Sequence, residues 1–366
     1  MSKARELAEL GAVYDSGALS NRNLIINGGM KISQRIGTTA TAITGGNYGL
    51  DRWHAYYDGN SFTTQQVTDA PSGFYNSMKL LVTGTTTPNY SFFSQKLEGN
   101  NVNQIGLGTA NCQSFTVSFY VKSSVAGIYS IAMTNGAGDL AYPLQYTINS
   151  ANTWERKTMT IPPITSGTWT KDNTVGLAIR VNLGSPSSRT DTSGAWSSGN
   201  FDGADGSTGS IAWATTSSAT FYLTGCQIEV GTEATPFEYR TFAQELDACS
   251  RYYSREETAV GGAYKRYGAG SWNSATAFEC LIPLSTPMRS TPALETTGTV
   301  SNYAIYSANA VDALTSISIT NDSDAGTYNR AVALVMTTAG GGVAGEGGTL
   351  LANNDEDNFL ALDAEL

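Results

Sequence analysis

Side-chain chemistry in this chain is constrained by its single histidine, His54. Nucleophilic catalysis by Ser or Cys leans on an imidazole, as does most zinc chemistry, and neither GxSxG nor HExxH occurs. His54 follows Asp51-Arg52-Trp53 and precedes Ala55-Tyr56-Tyr57. Strand alternation puts His54 and Tyr56 on one face, with Trp53, Ala55 and Tyr57 on the other. We expect a partly exposed strand histidine rather than a general base. Glycoside hydrolysis would need two carboxylates about 5–10 Å apart. Asp51, Asp58, Glu98, Glu155 and Glu229 are available, and no spacing singles out a pair. Asp51 beside Arg52 reads as a structural ion pair or a turn anchor. Asp202, Asp205 and the run 353–357 are oxygen-rich but lack EF-hand spacing, so structural calcium is compatible with them and not predicted. No cofactor is expected.

The four cysteines, Cys112, Cys226, Cys249 and Cys280, have no paired spacing and fit neither a disulfide framework nor a zinc site. Sugar recognition is the chemistry that the aromatics could do. Tyr90, Phe92, Phe93, Trp154, Trp169 and Trp213 could each stack on a sugar, although a sandwich core needs most such rings. The polar stretch 184–210 contains Trp196 and Phe201. These two either pin that loop to the body or, with Tyr56, face a glycan. Trp196, Phe201 and Tyr56 are the candidate glycan-facing residues.

The elements that must position them are strands. Charged residues make up only 14% of the 366 positions, and the polar remainder is Gly, Ser, Thr and Asn, which favours strands and turns over long helices. A formal net charge of −10 argues against a nucleic-acid partner. No run approaches the ~20 apolar residues that span a bilayer, so no membrane insertion is expected, and the start of the chain lacks a signal-peptide core. Folding in a cytoplasm is the expectation. Between Asn23 and Arg240, strand-like runs such as QSFTVSFYVKSS and TVGLAIRVNL alternate with turns. Phe115, Val117, Phe119 and Val121 share one face of such a strand. Residues 3–12 carry Leu7 and Leu10 with Ala4 and Ala8 on an overlapping helical face, and AQELDACSRYY reads as a second short helix.

The string NLIINGGMKISQRIG, followed by YGLDRW, resembles the opening of a domain found in fibre and virion proteins of tailed bacteriophages, often marine ones. The similarity continues through SQKLEGNNV, SFTVSFYVKSS, NTWERKTMTIP, FYLTGCQIEVGTEATPFEYR and ELDACSRYY, and reappears in IPLSTPMRSTPAL. Cys226 stands where a larger aliphatic is usual, and Ile36 interrupts the glycine expected after Arg35. The resemblance implies a jelly roll related to carbohydrate-binding modules, on a phage particle. It brings no catalytic residues.

The expected architecture is mainly β. Residues 1–20 form an N-terminal helical anchor through Ala4, Leu7, Ala8 and Leu10, 21–243 a jelly-roll domain, 244–254 a junction helix and 255–366 a smaller β domain. The expected role is that of a non-enzymatic structural virion component, tail fibre or head fibre, assembled in the host cytoplasm. Expected partners are other virion proteins, sister copies in a homotrimer, and host surface glycan. A dedicated receptor-binding protein is the first alternative and a polysaccharide-degrading enzyme the second.

Overall fold

The computed structural model describes residues 21–43, 45–258, 263–308, 310–320 and 330–366. The expected anchor residues Ala4, Leu7, Ala8 and Leu10 lie outside them. The chain is mainly β and divides into two compact units, the first ending at Glu245 and the second running Leu246–Glu365.

The first unit begins with β1 (Thr41–Ala42), β2 (His54–Asp58), β3 (Ser61–Val67), β4 (Ser77–Gly84) and β5 (Tyr90–Glu98). It continues with β6 (Phe115–Ser123), β7 (Gly127–Asn135), β8 (Leu140–Ile148), β9 (Glu155–Ile161) and β10 (Val175–Asn182). Short strands β11 (Thr190–Asp191), β12 (Ser197–Ser198) and β13 (Gly203–Ala204) precede the long β14 (Thr220–Val230). Two six-stranded sheets result, ordered β1-β3-β4-β14-β6-β9 and β12-β8-β7-β10-β5-β2. Their facing sides enclose one apolar core, which is the sandwich that the alternating runs imply. On β6, Phe115, Val117, Phe119 and Val121 are buried in it, at 1% exposure or less.

On β14 the alternation changes phase. Phe221 and Leu223 point into the core, and so do Cys226 and Ile228, one residue out of step. A bulge between Thr224 and Gln227 absorbs the extra residue. Gly225 supplies the left-handed backbone there, at φ +63°. Cys226 thereby fills a core position where its small side chain suffices.

The NLIING segment is apolar, yet residues 22–25 form no regular strand. Leu24 N–H donates to Ile228 O at 2.9 Å, and Asn23 Nδ2 donates to Cys226 O at 3.1 Å. Asn27, fully buried with φ +57°, turns the chain. Its side chain accepts from Ile32 N–H at 3.0 Å and donates to Ile32 O and to Asp51 O, at 2.8 and 3.0 Å. Asp51 in turn accepts from the backbone and side chain of Gln34, at 2.8 and 2.5 Å. Asp51 is therefore a turn anchor, and the NGG, QR and DRW strings are parts of one buried polar clip.

In the second unit, β15 is Tyr253–Glu257, β16 Arg266–Trp272, β17 Ala277–Pro283 and β18 Ala293–Thr296. They are followed by β19 (Tyr303–Ser307), β20 (Ala310–Ile319), β21 (Ala331–Thr338), β22 (Gly347–Ala352) and β23 (Phe359–Asp363). Strands β16-β17-β21-β20-β19-β22 close into a barrel around Trp272, Phe278, Met336 and Leu350. Strand β23 is the centre of a three-stranded sheet, β15-β23-β18. The helix expected over 244–254 runs Phe242–Ser250 instead, because Tyr253 is already paired with Asp363 in that sheet.

Candidate functional site

Four neighbouring strands of the second sheet, β2, β5, β10 and β7, present a mixed polar and aromatic face away from the core. The register builds it row by row. His54 pairs with Ser94 and Ser94 with Arg180; Tyr56 pairs with Phe92; Lys96 pairs with Ala178 and Ala178 with Thr134. The alternate residues Ala55, Phe93, Leu97, Leu177, Ile179 and Val181 all enter the core. Over this face lies a cleft of about 450 Å³. The strands contribute His54, Tyr56, Tyr90, Phe92, Arg180 and their row neighbours, and the long loop after β10 adds Arg189 and Asn200. None of its lining residues is Asp or Glu.

The aromatic floor is ordered. Tyr56 stacks on Phe92 with ring centroids 5.6 Å apart and planes 6° apart, and Tyr90 lies 6.4 Å from Tyr56. The Arg180 guanidinium sits 4.9 Å from the Phe92 ring centre, and that of Arg189 lies 5.8 Å from Tyr90. Tyr56 is 38% exposed, so its ring is open to a ligand.

Both guanidiniums are held by Asp202, which is fully buried. Arg180 Nη1 donates to Asp202 Oδ1 at 3.1 Å; Arg189 donates through Nη2 at 2.9 Å and through Nε at 3.1 Å. Ser185 Oγ donates to the same carboxylate at 2.8 Å. The stretch 184–210 therefore packs against the sheet rather than standing free. Asn182 Oδ1 accepts from the backbone N–H of Gly184 and Ser185, both at 2.8 Å, and β11 pairs with β13 in parallel. Burial pulls the Arg180 guanidinium below its usual range, offset by Asp202.

His54 is where the alternation puts it, beside Tyr56 on the outer face, but at 2% exposure it is buried rather than partly exposed. Tyr48, 5.1 Å away, and Tyr56, at 5.4 Å, cover it. Burial first, then the charges of Lys96, Arg52 and Arg180, push its imidazole down to about 3. Its environment therefore favours the neutral imidazole at ordinary pH. Two buried polar atoms among the cleft residues, His54 Nδ1 and Thr134 Oγ1, have no hydrogen-bond partner among the described residues.

Of the three expected glycan-facing aromatics, Tyr56 alone lines the cleft. Trp196 is pinned elsewhere. It packs 5.2 Å from Tyr142 and 5.8 Å from Trp169, and its Nε1 donates to Pro162 O at 3.2 Å. Phe201 borders the cleft only through its carbonyl, which accepts from Arg180 Nη1 at 3.2 Å. Tyr90 and Phe92 belong to the cleft, whereas Phe93 and Trp213 are core. Trp154 sits under Lys122 on the other sheet, with Nζ 5.2 Å from its ring centre. The sequence reading missed Arg180 and Arg189. A lone arginine inside the apolar run LAIRVN was the available signal for Arg180.

Two of the carboxylates considered for hydrolysis are engaged in separate networks. Glu155 accepts from Asn149 and Lys157, and Glu229 from Gln227 and Thr235. Among the described residues, no group of three or more His, Cys, Asp or Glu could hold a metal ion, and Asp202 is taken up by its arginines.

No family model matches the chain, and no curated protein does. Solved structures similar to it include the enzymatically active domain of tailspike protein 4 of bacteriophage CBA120. That match has 13% identity and a TM-score of 0.32, covering 57% of this chain and 22% of the tailspike chain. A CBM4 module matches at 12% identity and a TM-score of 0.28, over 54% of this chain and 100% of its own. The family 11 carbohydrate-binding module of a Clostridium thermocellum cellulase matches at 15% identity and a TM-score of 0.27, over 54% and 98%.

Proposed function

We propose that this chain is a non-enzymatic structural protein of a tailed-phage particle, a tail fibre or head fibre, whose sandwich adheres to host surface glycan. The virion part rests on the ordered strings from NLIINGG to ELDACSRYY. The glycan part rests on one observation: a stacked Tyr56–Phe92 platform lies in an open cleft beside guanidinium and amide groups. Sugars offer C–H faces to rings and hydroxyls to fixed polar groups, and such clefts bind by that combination. A lining without carboxylates favours binding over hydrolysis, which canonically needs two.

A glycan array probed with the labelled full chain tests the adhesion reading. Retention on a subset of glycans, lost in Tyr56→Ala, supports it; no retention on any glycan sinks it. Incubating retained glycans with the protein and assaying reducing ends tests the enzymatic alternative, and released sugar would overturn the non-enzymatic reading. Immunogold labelling of intact particles tests the virion role, and unlabelled particles would end it. A mass measurement in solution tests the homotrimer: three chains are expected.

A further inference from the structure

The cleft has a charge asymmetry that adhesion to neutral sugars does not use. The protein carries a formal net charge of −10, yet Lys96, Arg180 and Arg189 line the cleft with no carboxylate among the lining residues. Arg180 and Arg189 are both bonded to one carboxylate, Asp202, which neutralises only one of them.

The hydrogen bonds of Arg180 are one-sided. Its bonds to Asn200 Oδ1 at 2.5 Å, Phe201 O at 3.2 Å and Asp202 Oδ1 at 3.1 Å all leave from Nη1. Nε and Nη2 bond to no described residue, and neither is among the buried unpartnered atoms. Those two N–H groups form the side edge of the guanidinium. Arg189 uses that same edge to grip Asp202, with Nε at 3.1 Å and Nη2 at 2.9 Å. A parallel pair of N–H donors matches a carboxylate or a sulfate in charge-assisted two-point contact, whereas the hydroxyls of a neutral sugar accept the same donors without the charge. The bonds from Nη1 and the Phe92 ring hold this edge in place.

Resting on the adhesion reading, we propose that the cleft selects an acidic saccharide, with a sugar carboxylate or sulfate held on the Nε/Nη2 edge of Arg180 and a sugar ring lying against Tyr56. The two contacts adjoin through Phe92, which touches both Tyr56 and Arg180. The third cation of the lining, Lys96, is already engaged: its Nζ donates to Leu366 O at 2.8 Å.

Calorimetry on the full chain tests this with two matched pairs: trigalacturonic acid against its methyl ester, and a sulfated galactan oligosaccharide against its desulfated form. At least one acidic member should bind about 10- to 100-fold tighter than its neutral partner, the range for a charge-assisted contact. Added salt should weaken it, because part of the attraction is screened. Which pair shows the preference tells carboxylate from sulfate. Arg180→Lys, which keeps the charge and loses the paired donors, should cost about tenfold or more in affinity for the acidic member and leave affinity for its neutral partner unchanged. Equal binding of acidic and neutral members would overturn the charge assignment and leave adhesion standing. Binding of neither pair, with an array that shows other glycans retained, would overturn the acidic selection alone; an array that retains nothing would sink both. Inorganic polyphosphate binding as tightly as the sugar acids would reveal a bare anion site and overturn the saccharide assignment.

Discussion

Tyr56 lies parallel to Phe92 across the β2–β5 pair, 5.6 Å between ring centres, and the two differ in exposure: 38% for Tyr56 and 5% for Phe92. Phe92 is a covered support and Tyr56 the open surface. Truncating each should therefore give different results. Tyr56→Ala should weaken glycan affinity by about 2 kcal/mol, roughly 30-fold, while moving stability by less than ~1 kcal/mol. Phe92→Ala should cost about 3 kcal/mol of stability as well, because it opens a void under Tyr56 and Arg180. Calorimetry and urea unfolding on both variants check the contrast; an unchanged affinity in Tyr56→Ala would remove that ring from the site.

Gly28 and Gly29 stand side by side in the NGG turn and should respond oppositely to a methyl group. A Cβ on Gly28 would lie 2.1 Å from the Cys226 carbonyl oxygen, whereas on Gly29 the nearest atom is the Phe237 ring edge at 3.8 Å. Gly28→Ala must push the turn off β14 and should cost about 3 kcal/mol or more. Gly29→Ala should stay within about 0.5 kcal/mol. Denaturant midpoints of the two variants, measured together, decide this.

The strands were legible because alternation is local: Phe115 to Val121 and LAIRVN show their inward and outward residues without reference to partners. The same local pattern placed His54 with Tyr56. Its burial was not legible, because Tyr48 and the charges around the imidazole come from other segments. The cleft draws on β2, β5, β7, β10 and the loop after β10, so its membership depends on strand order, which no window of sequence contains. Trp196 stayed open between two roles for the complementary reason. A tryptophan in a polar loop reads equally as a pin or a platform until Tyr142, Trp169 and the Pro162 carbonyl are found around it.

Thiol reactivity should separate the cysteines. None of the four is in a disulfide; Cys112 is half-buried, and Cys226, Cys249 and Cys280 are buried. Burial pushes the Cys226 thiol well up and that of Cys280 to about 12, so neither offers thiolate at pH 8. A thiol-counting reagent at pH 8 should titrate one group in the native protein, lost in Cys112→Ser, and four in denaturant. Fast reaction of a second native thiol would contradict the packing around β14, β17 or the Phe242–Ser250 helix.

The single histidine gives the acid limb of the stability curve an assignable cause. Burial lowers the His54 imidazole from 6.5 to about 3 in the folded chain, with Lys96, Arg52 and Arg180 adding to it. Between those values the unfolded chain holds a proton that the folded chain refuses, so stability falls as pH drops and is fully regained above the ordinary histidine value. One proton changes stability by at most about 1.4 kcal/mol per pH unit. Between about pH 6.5 and 5, above the usual carboxylate range, His54 should therefore account for a loss of roughly 1–2 kcal/mol. Urea unfolding across that window should show the loss in the parent chain and a flatter profile in His54→Gln. Because the chain has one histidine, its C2 proton resonance reports the group directly, and it should not titrate between pH 7 and 5 in the folded protein. A midpoint near 6.5 would mean that the imidazole is solvated, and would remove the cover over the inner end of the cleft.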